Sequence, residues 1–150
     1  MSIFAFDIET GALPDEEIER IAPEFDPASV KVGNLADLKK INDKINLARD
    51  SHINGIKNKA ALNAEYGKIL AIGILEQGKG EPVETLLHGN NEKTIISEFW
   101  TKAEMAFKEG KTLVGHNIIG FDCLFLVRRS YALGIAPPAQ LMPNKGRYWE

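Results

Sequence analysis

The chain has 150 residues, 44% of them hydrophobic and 26% charged, which is enough for one domain with its own core and excludes a disordered, collagen-like or coiled-coil chain. No apolar run reaches the ~20 residues that span a bilayer, and the single cysteine, Cys123, excludes an internal disulfide framework or a cysteine-rich zinc site. A net charge of −3 argues against wholesale binding of a phosphate backbone.

Taken in chain order, MSIFAFDIET lacks a basic stretch and meets a carboxylate at Asp7, so no signal peptide is expected and the reading is a cytoplasmic protein. Residues 2–8 are apolar and β-prone and run into Thr10-Gly11, predicting a buried strand followed by a turn. Residues 12–33 hold Pro14, Pro23, Pro27 and Gly33 among acids, predicting an irregular surface loop. Asn34 can cap a helix carrying Leu38, Ile41, Ile45 and Ala48 at helical spacing, with a break expected at Asn54-Gly55 and a short helix before Tyr66-Gly67.

Residues 69–76, ILAIGILE, predict a second strand, and Gln77-Gly78-Lys79-Gly80 predicts a hairpin turn into a third strand over 83–88. Asn90 or Asn91 then caps a helix with Ile95, Ile96, Phe99, Trp100, Ala103 and Phe107 on its apolar face, ended by Gly110. Residues 112–115 predict a fourth strand, a last helix runs from about Phe121 to Leu133 before Gly134, and the proline-bearing 135–150 reads as extended. Strand, insertion, strand, strand, helix, strand, helix is the order of an α/β fold with a mixed sheet flanked by helices.

Charge is unevenly spread. Residues 1–30 carry eight acids against Arg20, whereas 31–68 carry eight bases (Lys31, Lys39, Lys40, Lys44, Arg49, Lys57, Lys59, Lys68) against four acids. Such a basic segment permits a local nucleic-acid contact, and a solvated helix face accounts for it equally simply.

Asp7 and Glu9 lie two apart on the first strand, which turns both side chains to one face. Two like charges at the end of an apolar strand call for compensation, and hard oxygen donors suit Mg²⁺ or Mn²⁺. A bare Asp-x-Glu also fits two exposed acids at a strand end. Downstream, HNIIGFDCLFL (116–126) places Asn117 in a strand-to-helix loop and Asp122 in the first helical turn, where its carboxylate also fits a purely structural role at the helix N-terminus. His116 fits an ordinary loop histidine. Cys123, followed by Leu124-Phe125-Leu126, reads as a buried structural thiol. Arg128-Arg129 reads as a solvated helix end, and Tyr148-Trp149 as base-stacking residues or as uncovered core aromatics.

DIET at 7–10 followed by HNIIGFD at 116–122 resembles the first two motifs of the DEDD superfamily of 3′–5′ exonucleases. AALNAEYGKILAIGI at 60–74 is further similar to predicted exonucleases related to the proofreading domain of family B DNA polymerases. The resemblance covers nearly the whole chain and implies a ribonuclease H-like fold. It implies one exonuclease-like domain over 1–150 with a basic loop and helical insertion at about 12–68. The implied activity is a two-metal phosphodiesterase, dependent on Mg²⁺ or Mn²⁺, that removes nucleotides from the 3′ end of single-stranded DNA. Asp7, Glu9 and Asp122 match the metal-binding and catalytic carboxylates, with Glu9 also orienting the attacking water. Thr10 and Gly11 fall where the family meets the terminal nucleotide, and His116, Asn117 and Phe121 fall at the polar and aromatic neighbours of the second motif.

The chain departs from the family in lacking a third motif, a Tyr or His four residues before a final aspartate. Tyr148 has no residue four positions on. The fold is therefore expected to be C-terminally incomplete and the chain to be the N-terminal portion of a longer exonuclease, weak or inactive alone, and prone to self-association through its open edge. The alternative is a non-catalytic nucleic-acid-binding or assembly module that keeps the fold without the third motif.

Overall fold

A computed structural model describes residues 2–141. Strand β1 (Ile3–Ala12) alternates as its sequence does, with Phe4, Phe6 and Ile8 buried and Asp7 and Glu9 exposed. It pairs antiparallel with β2 (Gly67–Gln77), which pairs antiparallel with β3 (Val83–His88). On its other side β1 pairs parallel with β4 (Thr112–Val114), giving a four-stranded mixed sheet of order β3-β2-β1-β4. The chain is thus α/β, with helices packed on the sheet.

Two helices lie in the insertion between β1 and β2: α1 (Asp15–Ile21) and α2 (Leu38–Lys59). The predicted irregular loop over 12–33 is corrected by α1. Pro14 precedes its first residue, Asp15, Glu16 and Glu17 fill its first turn, Arg20 sits in its last, and Ile18 is fully buried. Acids at the start and a base at the end suit the helix dipole, and one buried isoleucine anchors the turn. The expected break at Asn54-Gly55 is also corrected. α2 runs through both, because a glycine inside a helix costs only about 1 kcal/mol relative to alanine. Its cap is Asp37 rather than Asn34, with the Asp37 carboxylate accepting from the Lys39 N–H at 2.9 Å.

Helix α3 (Glu92–Lys108) is capped by Asn91, whose side chain accepts from Thr94 N–H, and α4 (Asp122–Ala132) follows the β4 loop. Gly134 closes α4 with φ +69°, a conformation that favours glycine. Residues 135–141 hold a short 3₁₀ turn at Ala139–Leu141 rather than an unbroken extended segment. Tyr148 and Trp149 lie outside the described residues.

The core lies between one sheet face and helices α3 and α4. Phe4, Phe6, Ile8, Ile72 and Ile74 meet Ile95, Ile96, Phe99, Trp100, Phe125 and Leu126. Phe6 and Phe99 stack with centroids 4.9 Å apart, and Phe99 meets Trp100 edge-on at 5.0 Å. The Trp100 indole N–H donates to Ser130 Oγ at 2.8 Å, so the buried polar ends are satisfied. The opposite face is an open groove lined by strand residues alone, among them Ala5, Gly73, Leu75 and Leu86.

Candidate functional site

The parallel pairing of β1 and β4 turns both C-terminal ends to the same edge of the sheet, and the candidate residues gather there. Pairing of β1 with β4 stops at Ala5 and Val114, so among the described residues the later half of β1 has no strand on that side. Its backbone must find other partners. The loop after β4 supplies one: Asp122 Oδ1 accepts from the Ile8 N–H at 3.1 Å, across 114 positions of sequence.

That hydrogen bond fixes Asp122 next to Asp7. Asp122 is only 3% exposed. Burial holds its carboxyl above the ordinary carboxylate range; the Ile8 N–H and its own backbone N–H oppose the rise, and the Asp7 carboxylate, within hydrogen-bonding reach, adds to it. Among the described residues no Lys or Arg forms a salt bridge with Asp7, Glu9 or Asp122. Two adjacent carboxylates with no basic partner and one oxygen of Asp122 already spent form a donor set that fits a hard divalent cation.

Glu9 occupies the same sheet face as Asp7, exposed, and pairs across the strand with Ala71. It does not close a three-ligand cluster: among the described residues no group of three or more His, Cys, Asp or Glu side chains stands ready for a metal. Immediately after Glu9 the register of β1 against β2 shifts, with Leu70 left as the extra residue. Such bulges re-aim side chains at the edge of a site. Gly11 accommodates the displaced Leu70, whose Cδ1 would lie 2.9 Å from a Cβ there. The Thr10 hydroxyl donates to the Ala61 carbonyl at 2.7 Å, so this side chain ties β1 to the end of the insertion.

The loop from β4 to α4 is built for tight passage. Gly115 has no room for a Cβ, which would stand 2.2 Å from Ile118 Cγ2 and 2.7 Å from the Phe6 carbonyl. Asn117 takes φ +52°, a left-handed conformation that asparagine tolerates, and its carbonyl accepts from the N–H groups of Gly120 and Phe121. His116 and Asn117 are exposed and Phe121 is half-buried, with Phe121 stacked on Phe125 at 5.5 Å. Phe121 lines a small surface cleft with Leu62, Asn63, Gly120, Leu124 and Arg128 rather than with Asp7 or Asp122.

Cys123 packs against the core, and burial pushes its thiol up to about 11, with the neighbouring Asp122 charge adding to the rise. A thiol so protonated is no nucleophile near neutral pH. The reading of Arg129 as part of a solvated helix end is corrected. Arg129 is buried and grips Glu92 through Nε at 2.9 Å and Nη2 at 2.7 Å, while Glu92 also accepts from the Ile69 N–H. Its signal was in the sequence: Arg129 stands four residues after Phe125, on the buried face of α4.

No helix among the described residues is long and apolar enough to cross a membrane. Comparison with protein-family models, with curated proteins and with solved structures finds no match to this chain.

Proposed function

We propose that the chain carries the metal-binding portion of a 3′–5′ exonuclease of ribonuclease H-like fold, acting on the 3′ end of DNA with Mg²⁺ or Mn²⁺. The observation that supports this reading best is the meeting of Asp7 and Asp122, far apart in sequence, at one sheet edge without a basic partner among the described residues. A strand order of β3-β2-β1-β4 with β1 central is compatible with the fold the two motifs imply.

In this reading Asp7 and Asp122 hold the divalent cation, and Glu9, free on the same face, swings to orient the attacking water. The cation supplies Lewis-acid activation of water and charge stabilisation at the leaving 3′-oxygen. The backbone of Thr10 and Gly11, beyond the bulge, lies against the terminal nucleotide. Asn117 and Phe121 contact its sugar and base at the loop entrance.

The absence of a ready three-ligand cluster among the described residues favours a second reading, a nucleic-acid-binding module without catalysis. Calorimetric Mn²⁺ titration combined with digestion of labelled single-stranded DNA separates the two. The exonuclease reading expects metal binding that Asp7→Asn and Asp122→Asn abolish, and weak stepwise shortening from the 3′ end lost in the same variants. Metal binding indifferent to both substitutions, or cleavage within the strand, overturns it.

A further inference from the structure

We propose that helix α2 is an arm that binds the phosphate backbone of single-stranded nucleic acid at a distance from the carboxylate pair. The inference rests on the exonuclease reading for its choice of nucleic acid over another polyanion.

At 22 residues and 1.5 Å per residue, α2 is about 33 Å long, and none of its residues is buried. It carries Lys39, Lys40, Lys44, Arg49, Lys57 and Lys59 against Asp43 and Asp50, in a chain whose net charge is −3. Lys57 is engaged at its C-terminal end, at 2.6 Å to Glu19 and 2.9 Å to Asp15 of α1. The other end is different. Lys44 Nζ donates to the Lys31 carbonyl at 2.6 Å, which ties the preceding loop to the helix at Lys44, one turn beyond the exposed Lys39 and Lys40. Asp37 at that end is occupied as the helix cap.

The helix also points the right way. Its C-terminal end runs into the 3₁₀ turn Ala60–Leu62, and the Ala61 carbonyl accepts from Thr10, next to the site. The lysine cluster therefore stands about 25–30 Å along the helix from that junction. Asp7, Glu9 and Asp122 repel phosphate, so a strand whose 3′ end enters the site gains its attraction elsewhere, and the lysine cluster supplies it.

A basic helix also suits an anionic membrane surface, but that mode needs a free apolar face. Here Ile41, Ile45, Ile53 and Ile56 are half-buried, Ile56 against Leu13, Ile18 and Ala60, leaving Leu38 and Leu47 as its exposed leucines. Charge without a free apolar face favours a soluble polyanion.

The test is fluorescence anisotropy of labelled single-stranded oligonucleotides with the whole chain in EDTA, across a salt series. The oligonucleotides are about 30 and about 6 nucleotides long, and the variant is Lys39→Gln/Lys40→Gln/Lys44→Gln. We expect the long oligonucleotide to bind the variant at least tenfold more weakly near 0.1 M salt. The slope of log K against log salt should fall by about 2, as three lost phosphate contacts require. The short oligonucleotide should bind both proteins alike. Unchanged affinity for the long oligonucleotide, equal weakening of both lengths, or tighter binding to phosphatidylserine vesicles than to the long oligonucleotide overturns the proposal. Failure of the exonuclease reading is visible separately, as length-dependent binding that persists while metal binding is indifferent to Asp7→Asn and Asp122→Asn.

Discussion

Replacing Asp122 by Asn and by Ala separates the two things this carboxyl does. Asn keeps an oxygen for the Ile8 N–H and removes the charge; Ala removes both. Because the native pKa of Asp122 is raised, the folded state binds its proton more tightly than the unfolded chain does. Stability contributed by the protonated form is present below the ordinary value of 3.8 and is lost as pH rises through the raised native value. At pH 7 the ionised carboxylate is therefore a net cost, and Asp122→Asn is expected to be more stable than the parent by about 0.5–2 kcal/mol. That advantage shrinks as pH falls toward 4. Asp122→Ala strands the buried Ile8 N–H and is expected to be less stable by about 1–3 kcal/mol.

Each kcal/mol moves Tm by about 2–4 °C in a chain of this size, so circular-dichroism melts from pH 4 to 8 resolve all three proteins. On the proposed reading, Mg²⁺ at a hundred times its Kd should add about 2.7 kcal/mol to the parent and little to the Asn variant. An Asn variant as destabilised as the Ala variant at pH 7 would refute the reasoning. It would mean that the ionised carboxylate is compensated and that the two aspartates do not form a repulsive, cation-seeking pair.

Arg129→Ala leaves the part-buried Glu92 without its partner and is expected to cost about 3 kcal/mol in urea denaturation, with partial recovery on adding Glu92→Gln. Gly115→Ala pushes a Cβ against Ile118 and the Phe6 carbonyl; the expected loss is about 1–3 kcal/mol, and a crystal structure should show the loop before Asp122 displaced. Iodoacetamide should label Cys123 slowly at pH 7.5 and much faster in denaturant, whereas equal rates would show the thiol to be neither shielded nor raised. The open groove on the face away from α3 is expected to promote self-association, seen as concentration-dependent mass in light scattering, and a monomer at all concentrations would refute it.

The core of the first strand was legible from residues 2–8 because alternation is a local property: Phe4, Phe6 and Ile8 inward force Asp7 and Glu9 outward together, although the strand runs on to Ala12 through Thr10-Gly11, where a turn was expected. The Asn91 cap and the apolar face of α3 from Ile95 to Ala103 were legible for the same reason, since capping and helical periodicity involve residues only a few positions apart, but Phe107, read on that face, is exposed and Ala106 is buried in its place. Helix α1 was not. Its acids and the flanking Pro14 and Pro23 are as common in loops, and what makes it helical is one buried contact, Ile18 under the insertion. Gly55 was read as a stop, yet a long helix carries a single glycine at modest cost. The carboxylate pair divides the same way. The sequence by itself determined that Asp7 and Glu9 share a face and that Asp122 opens a helix. Only the tertiary structure decided that β1 outruns β4, leaving the Ile8 N–H for Asp122 to satisfy. That stretch of β1, paired with β2 but running past β4, brings the second aspartate to the first, and no local pattern records it.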